Sequence, residues 1–290
     1  MANLAGIISA KTENDQNWRD QRQAERDNTV AIRDGGIAVV ATDPDTYGKY
    51  LILQGDNPTY SAGNIVLCLY QLMNPTLIGT KEKWKSLGRY VKAEEQNKGA
   101  KIFVRPNGIN ARGYNVGDAY DIEQTQGREV IPLRLENDTP QMEKALATLL
   151  NYSPVEVVAD STLDMPALYN ESDMVLTVNP DYPDDQAFSA IATEIALARM
   201  HNKGRNQYYD RENSYLDADS ISFIICRRFG VERELPDASN IAALNGGMTV
   251  DALSETLNTV QEMAKKIGGS IELQISPPQR TQNRGNMPRR

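Results

Sequence analysis

Histidine is nearly absent from this sequence: His201 is the one copy in 290 residues. A Ser–His or Cys–His pair needs a histidine beside a nucleophile. One histidine leaves room for one such pair, and nothing around His201 resembles a nucleophile loop. Cysteine is scarce too. Cys68 and Cys226 lie far apart, each inside an apolar run, which is the pattern of buried free thiols in a reducing compartment. No apolar run approaches the roughly 18 residues needed to cross a bilayer. The N-terminal stretch MANLAGIISAKTEND has no basic leader of the secretory kind. Gly246-Gly247 and Gly268-Gly269 lack the strand–glycine–helix context of a phosphate loop and read as turns. Together these absences point to a cytoplasmic protein that makes no membrane contact and carries no cofactor.

Charge is present, and it is unevenly spread. Residues 1–128 hold 16 Lys+Arg against 15 Asp+Glu, residues 129–275 hold 11 against 24, and residues 276–290 hold four Arg and no acid. A near-neutral first unit, an acidic second unit and a basic tail suggest different tasks. The acidic unit repels a polyanion, so any nucleic acid would bind the first unit or the tail.

The hydrophobic pattern predicts an α+β fold. One or two helices are expected over residues 3–34, ended by Asp34-Gly35-Gly36. The run from Ile65 to Met73 reads as a buried helix with Ser61 near its N-cap. A short helix over 81–89 closes at Gly88. From Tyr90 the pattern turns to strand, polar hairpin, strand, with a further strand at 119–122. In the second unit, a helix over 141–151 follows Thr139-Pro140. Strands are expected at 155–159 and 174–179 and helices at 184–201 and 215–229. A last helix over 249–267 is expected to stop at Gly268-Gly269, before a strand IELQI. The tail 276–290 reads as disordered.

Two sets of residues resemble one family. The first is Tyr60-Ser61-x-x-Asn64, Gln71-x-x-Asn74-Pro75, Trp84-x-x-Leu87-Gly88-Arg89-x-Val91-Lys92, Lys98-Gly99-Ala100-Lys101-Ile102 and Tyr120-Asp121-Ile122-x-Gln124-Thr125. In this order and spacing it resembles the N-terminal domain of ArdC-type antirestriction and LtrC-like proteins of plasmids and conjugative elements. AEEQNKG departs from the tight glycine-and-lysine turn usual there. The second set is the strand at 174–179, the helix at 184–201 and the helix opening YLDAD. These resemble the zincin-like C-terminal domain that follows in the same family, where the helix carries His-Glu-x-x-His. The resemblance implies an ArdC-like domain over 1–128, with non-specific single-stranded DNA binding, and a zincin-like domain over 129–275.

In this chain the zinc positions are altered. Thr193 and Leu197 stand where the two histidines would be, Glu194 keeps the general-base position, and Tyr215 falls at the third ligand position. Leucine offers no lone pair, and a threonine hydroxyl is a poor zinc ligand. His201 lies about 10 Å along the helix from Glu194, too far to share one ion. No metal site is therefore expected, and the zincin-like unit is read as inactive. Asp217 and Asp219 read as a solvated or packing pair. The DNA candidates are Arg89, Lys92, Lys98, Lys101, Arg105 and Arg112. Tyr60 and Tyr90 are stacking platforms, with Phe103 and Tyr114 in the same class. The leading expectation is a non-catalytic accessory protein that binds single-stranded DNA and has a possible host or mobile-element protein partner. A protein-interaction or scaffold module without DNA binding is the alternative, and a metallopeptidase with a rearranged site the third.

Overall fold

A computed structural model describes residues 3–106 and 113–276. Arg112 and the tail beyond Ser276 lie outside the described residues. The expected α+β class is found, with helices dominating and small sheets between them. In chain order the elements begin with α1 (Leu4–Val40), α2 (Pro44–Asp56), α3 (Ala62–Gln71), β1 (Ile78–Gly79), α4 (Lys81–Ser86), β2 (Arg89–Val91), β3 (Ala100–Val104), β4 (Asn115–Asp121) and β5 (Thr125–Gly127). They continue with α5 (Pro140–Leu150), β6 (Glu156–Ala159), β7 (Ala167–Asn170), β8 (Val175–Val178), α6 (Asp184–His201), α7 (Arg211–Arg228), α8 (Ile241–Leu244) and α9 (Val250–Ile275).

Two glycine pairs were expected to end helices, and neither does. α1 runs through Gly35-Gly36 to Val40 because Gly36 lies against α3. A β-carbon there would stand 2.5 Å from Val66 Cγ1 and 3.0 Å from the Tyr70 ring, so glycine lets the two helices approach. α9 likewise runs through Gly268-Gly269, and the expected strand IELQI is its last turn. The cause is an apolar stripe that does not stop there: Leu253, Leu257, Val260, Ala264, Ile267, Ile271 and Ile275 keep helical spacing and are all buried. Burial of that stripe outweighs the propensity cost of two glycines, about 1 kcal/mol each.

The caps behave as expected. Ser61 Oγ accepts from Asn64 N at the start of α3, and Thr139 Oγ1 accepts from Met142 N with Pro140 in the first turn of α5. α7 starts at Arg211, four residues before the expected 215, because Asp210 caps it by accepting from Asn213 N. β2 and β3 do not form the expected hairpin. β2 pairs antiparallel with β5, and β3 with β4. The segment between them is a 3-10 turn held by Gln124, whose Nε2 donates to Glu95 Oε2 and Lys98 O. It carries the chain from one sheet to the other.

Much of the motif set is scaffolding. In the order β1-β4-β3, β3 is an edge strand. Asn64 donates to Phe103 O and accepts from Phe103 N, both at 2.9 Å. Gln71, two turns further along α3, makes the same pair of bonds with Lys101, both at 3.0 Å. The two amides satisfy the strand edge that another strand would otherwise seek. Trp84 Nε1 donates to Tyr120 O, and Asp121 accepts from Thr76 N.

One apolar cluster reaches from Ile37 to Ile275. Polar contacts join its early and late elements: Tyr47 OH to Ser220 Oγ at 2.9 Å, Arg227 to Asp56 at 2.8 Å, and Gln261 Nε2 to Pro58 O at 3.0 Å. Cys68 and Cys226 are free thiols inside the core. No described helix is long and apolar enough to cross a membrane.

The two adjacent glycines of α1 make a matched test. Gly36→Ala forces an overpacked contact and is expected to cost about 1–3 kcal/mol. Gly35→Ala meets nothing within 4 Å and is expected to stabilise by up to about 1 kcal/mol. Urea unfolding of the two variants measures both signs.

Candidate functional site

The first candidate is the pair α6–α7, behind the small sheet β6-β8-β7. Thr193, Glu194 and Leu197 are buried on α6, and Tyr215 is half exposed on α7. Glu194 is not free to act on a substrate. Its two oxygens take Arg211 Nη2 at 2.7 and 2.9 Å, and Oε2 also accepts from Tyr169 N at 2.8 Å. Burial raises the Glu194 carboxyl above its ordinary range, while Arg211 and the Tyr169 N–H oppose the shift and hold the charge. Arg211 Nη1 also reaches Tyr169 O at 3.3 Å. Because β7 lies at the edge of its sheet, Glu194 and Arg211 between them occupy both outward-facing groups of Tyr169.

A second ion pair lies about two turns further along α7. Asp219 Oδ1 takes Arg233 Nη2 at 2.7 Å and faces Thr193 Oγ1 at 3.3 Å. Arg233 also donates to Ser222 Oγ, which donates in turn to Ser189 O on α6. Burial, then the charges of Asp219 and Glu194, raises the Tyr215 hydroxyl above its usual value. The positions where the resemblance would place a metal do not fit one. Leu197 has no donor atom, Glu194 is committed to Arg211, and a phenol stands at the third position. Among the described residues no cluster of three His, Cys, Asp or Glu side chains has metal-holding geometry.

His201 is the last residue of α6 and is half-buried there. Its Nδ1 pairs with Tyr169 OH at 2.6 Å and its ring lies 4.7 Å from that of Tyr209. Asp217 is not paired with Asp219. It sits on the opposite side of α7, and burial alone pushes its carboxyl up to about 6.

The second candidate is a groove between α1, the start of α3, the β3–β4 end and α9. It has a volume of about 640 Å³. Its basic lining is Arg26, Arg33, Arg105 and Lys265, its aromatic lining Tyr60, Phe103 and Tyr114, and Glu262 is the one acid among the described residues that line it. Phe103 lies between two guanidinium groups, 5.9 Å from Arg26 and 5.6 Å from Arg33. Arg26 Nη1 is fixed by Tyr114 O at 2.6 Å. A shallower hollow continues along α1, sharing Arg26 and Tyr114 and reaching Trp18, over which Arg22 stacks at 4.9 Å.

Of the expected DNA contacts, Arg105 and Tyr60 line this groove, with Phe103 and Tyr114. Arg89, Lys92, Lys98, Lys101 and Tyr90 do not line it. Arg89 donates to Thr125 Oγ1, Arg128 O, Ile122 O and Thr125 O. Lys92 donates to Glu123 O, Lys98 pairs with Glu95, and Lys101 pairs with Glu25 and Asp118. Tyr90 is exposed on β2. The sequence reading missed Arg26, Arg33 and Lys265. The first two are seven residues apart, hence on one helical face, but the signal shows only if α1 is read through Gly35-Gly36. It also missed Arg211, although Arg211, Tyr215 and Asp219 share one face of α7 at spacings of four.

No family model matches the sequence, and no curated protein matches it. Two solved structures are similar to the chain. One is the Mn(II)-bound crystal structure of the antirestriction ArdC protein from plasmid R388, at 16% identity and a TM-score of 0.46, covering 76% of this chain and 86% of that one. The other is its metal-free structure, at 14% identity and a TM-score of 0.44, covering 74% and 85%. Both are of the protein type that the sequence motifs resemble.

Two outcomes follow from the buried charges. Arg211→Ala leaves Glu194 buried without its counter-ion and is expected to destabilise by about 3 kcal/mol, read by denaturant unfolding. Asp217 has the opposite sign. Its folded value of about 6 lies above the ordinary 3.8, so the folded chain holds the proton more tightly than the unfolded one. That contribution is present below pH 4 and is lost as pH rises through 6. Asp217→Asn is therefore expected to stabilise by about 2–3 kcal/mol at pH 7.5 and by close to nothing at pH 4, as urea unfolding at the two values would measure.

Proposed function

We propose that this chain is a non-catalytic, DNA-associated accessory protein of the antirestriction kind that its motifs resemble, acting in the cytoplasm on single-stranded DNA. The observation that carries the reading is the groove of Arg26, Arg33, Arg105 and Lys265 around Phe103, Tyr60 and Tyr114. Proteins that hold single strands without sequence preference combine a positive track for the backbone with aromatic faces for the bases. Stacking on one such face contributes about 1–3 kcal/mol per base. The groove draws residues from both ends of the chain, since Lys265 comes from α9.

The rest of the molecule supports a passive second unit. Its excess of acid repels DNA and leaves the groove as the attractive surface. The α6–α7 pair, with Glu194 bound by Arg211 and Leu197 at a ligand position, holds the scaffold together. A second reading is favoured by one observation: Leu4, Ile7, Ile8 and Trp18 are all exposed on the first turns of α1, a surface suited to a protein partner.

Fluorescence anisotropy with a labelled oligonucleotide separates the two. Binding is expected at 50 mM salt, with a logarithmic salt slope of about −2 to −3 for four cations. Arg105→Glu with Lys265→Glu should weaken it at least about tenfold, and Tyr114→Ala by about 1–3 kcal/mol. No binding at 50 mM salt would remove the DNA reading and leave the partner surface of α1.

A further inference from the structure

Buried carboxylates in this fold have partners. Asp121 accepts from Thr76 N and Glu123 N, Glu194 from Arg211 and Tyr169 N, and Asp219 from Arg233. Asp217, which is half-buried, is the departure. Its carboxylate has neither a hydrogen-bond nor an ion-pair partner among the described residues, although surrounding protein shields it from solvent enough to shift its titration. A partly shielded carboxylate without a partner favours an opposite charge beside it. The side chain lines a cavity of about 520 Å³ between α2, α7, α8 and α9, a size typical of small-molecule sites at roughly 300–1,000 Å³.

This cavity is separate from the groove and from the Glu194 site. Asp217 is two residues from both Tyr215 and Asp219, which turns it about 200° around the helix from the α6-facing side. The cavity walls are apolar at Leu216, Ile241, Leu253 and Leu257. No Lys or Arg lies among the described residues that line it. Asn245 donates its Nδ2 to Ala41 O at 2.8 Å, which leaves its Oδ1 as an acceptor. Tyr47 spends its hydroxyl on Ser220. The lining therefore offers one negative charge and acceptor oxygen beside further uncharged polar side chains at Asn213, Asn240 and Thr256, with the aliphatic residues behind them.

A divalent metal does not suit that lining. Hard cations take about six oxygen ligands, carboxylates foremost, and Asp217 is the one acid among the described residues that line the cavity. A ligand with several N–H donors and one positive charge matches the carboxylate and the amide and hydroxyl oxygens, and a small apolar body matches the aliphatic residues. The geometry points to a binding site for a small organic ammonium ion, its charged end on Asp217 and Asn245 Oδ1 and its apolar body against Leu216, Ile241, Leu253 and Leu257.

The test uses full-length ¹⁵N-labelled protein in buffered salt at constant ionic strength. It is titrated with 2-phenylethylammonium chloride and, separately, with 2-phenylethanol, a neutral compound of similar shape. Saturable amide shifts are expected at Leu216, Asn245 and Leu253 with the ammonium compound, at an affinity at least about tenfold above that for the alcohol. In Asp217→Asn the ammonium affinity should fall to that of the alcohol, while the alcohol affinity and the spectrum away from the cavity stay unchanged. The proposal is overturned if neither compound produces saturable shifts at the cavity. It is equally overturned if the wild-type protein and Asp217→Asn bind the ammonium compound alike, or if the wild-type protein does not prefer the cation to the alcohol.

Discussion

A carboxylate inside an apolar helix must be neutralised or the helix cannot stay buried, and the Glu194–Arg211 pair meets that constraint. Its consequences spread outward. Asp210 caps α7 early enough to put Arg211 on its first turn, facing α6. Glu194 and Arg211 also take the N–H and C=O of Tyr169, which fastens β7 to the helix pair. The Asp219–Arg233 pair and the Ser222–Ser189 bond extend the same polar seam. With α6 and α7 locked in this way, α7 offers its other faces to α2 and α9, and α9 returns to the first elements of the chain.

The groove depends on that return. Its lining comes from residues 26–33, 59–64, 103–105, 114 and 254–265, stretches that only the folded chain brings together. α9 contributes Lys265 because its apolar stripe carries it past the core beside α3, where Gln261 and Lys265 donate to the carbonyls of Pro58 and Thr59. The lysines of the β-rich part are held internally as well, as Arg33 of the groove is by Asp34, but they lie away from the aromatic lining. Lys92, Lys98 and Lys101 each have an internal acceptor, so local pairing offsets the positive field that the sequence shows there. The seam that holds the helices and the groove that carries the proposed function are coupled through packing, and they use different residues.

Legibility in the sequence followed the range of the interaction. Ser61 and Thr139 are local signals, and the helices they start were readable. Gly36 was misread because its purpose, a 2.5 Å approach to Val66, is a tertiary fact invisible in the string. Gly268-Gly269 was misread because turn propensity was weighed without following the apolar stripe to Ile275. β7 is four residues long, too short for alternation to declare it. The replaced positions Thr193, Leu197 and Tyr215 were legible, since they depend only on residue type. The partner that took over Glu194 was not, because Arg211 belongs to a different helix and its reach depends on how α6 and α7 pack.

Photocrosslinking tests the central claim most directly. A single-stranded oligonucleotide carrying bromodeoxyuridine is irradiated with the full chain, and the attachment points are mapped by mass spectrometry. The account predicts adducts on Tyr60, Phe103 or Tyr114, in the groove between α1, α3 and α9. Adducts confined to residues 129–249, or none at low salt, would contradict it.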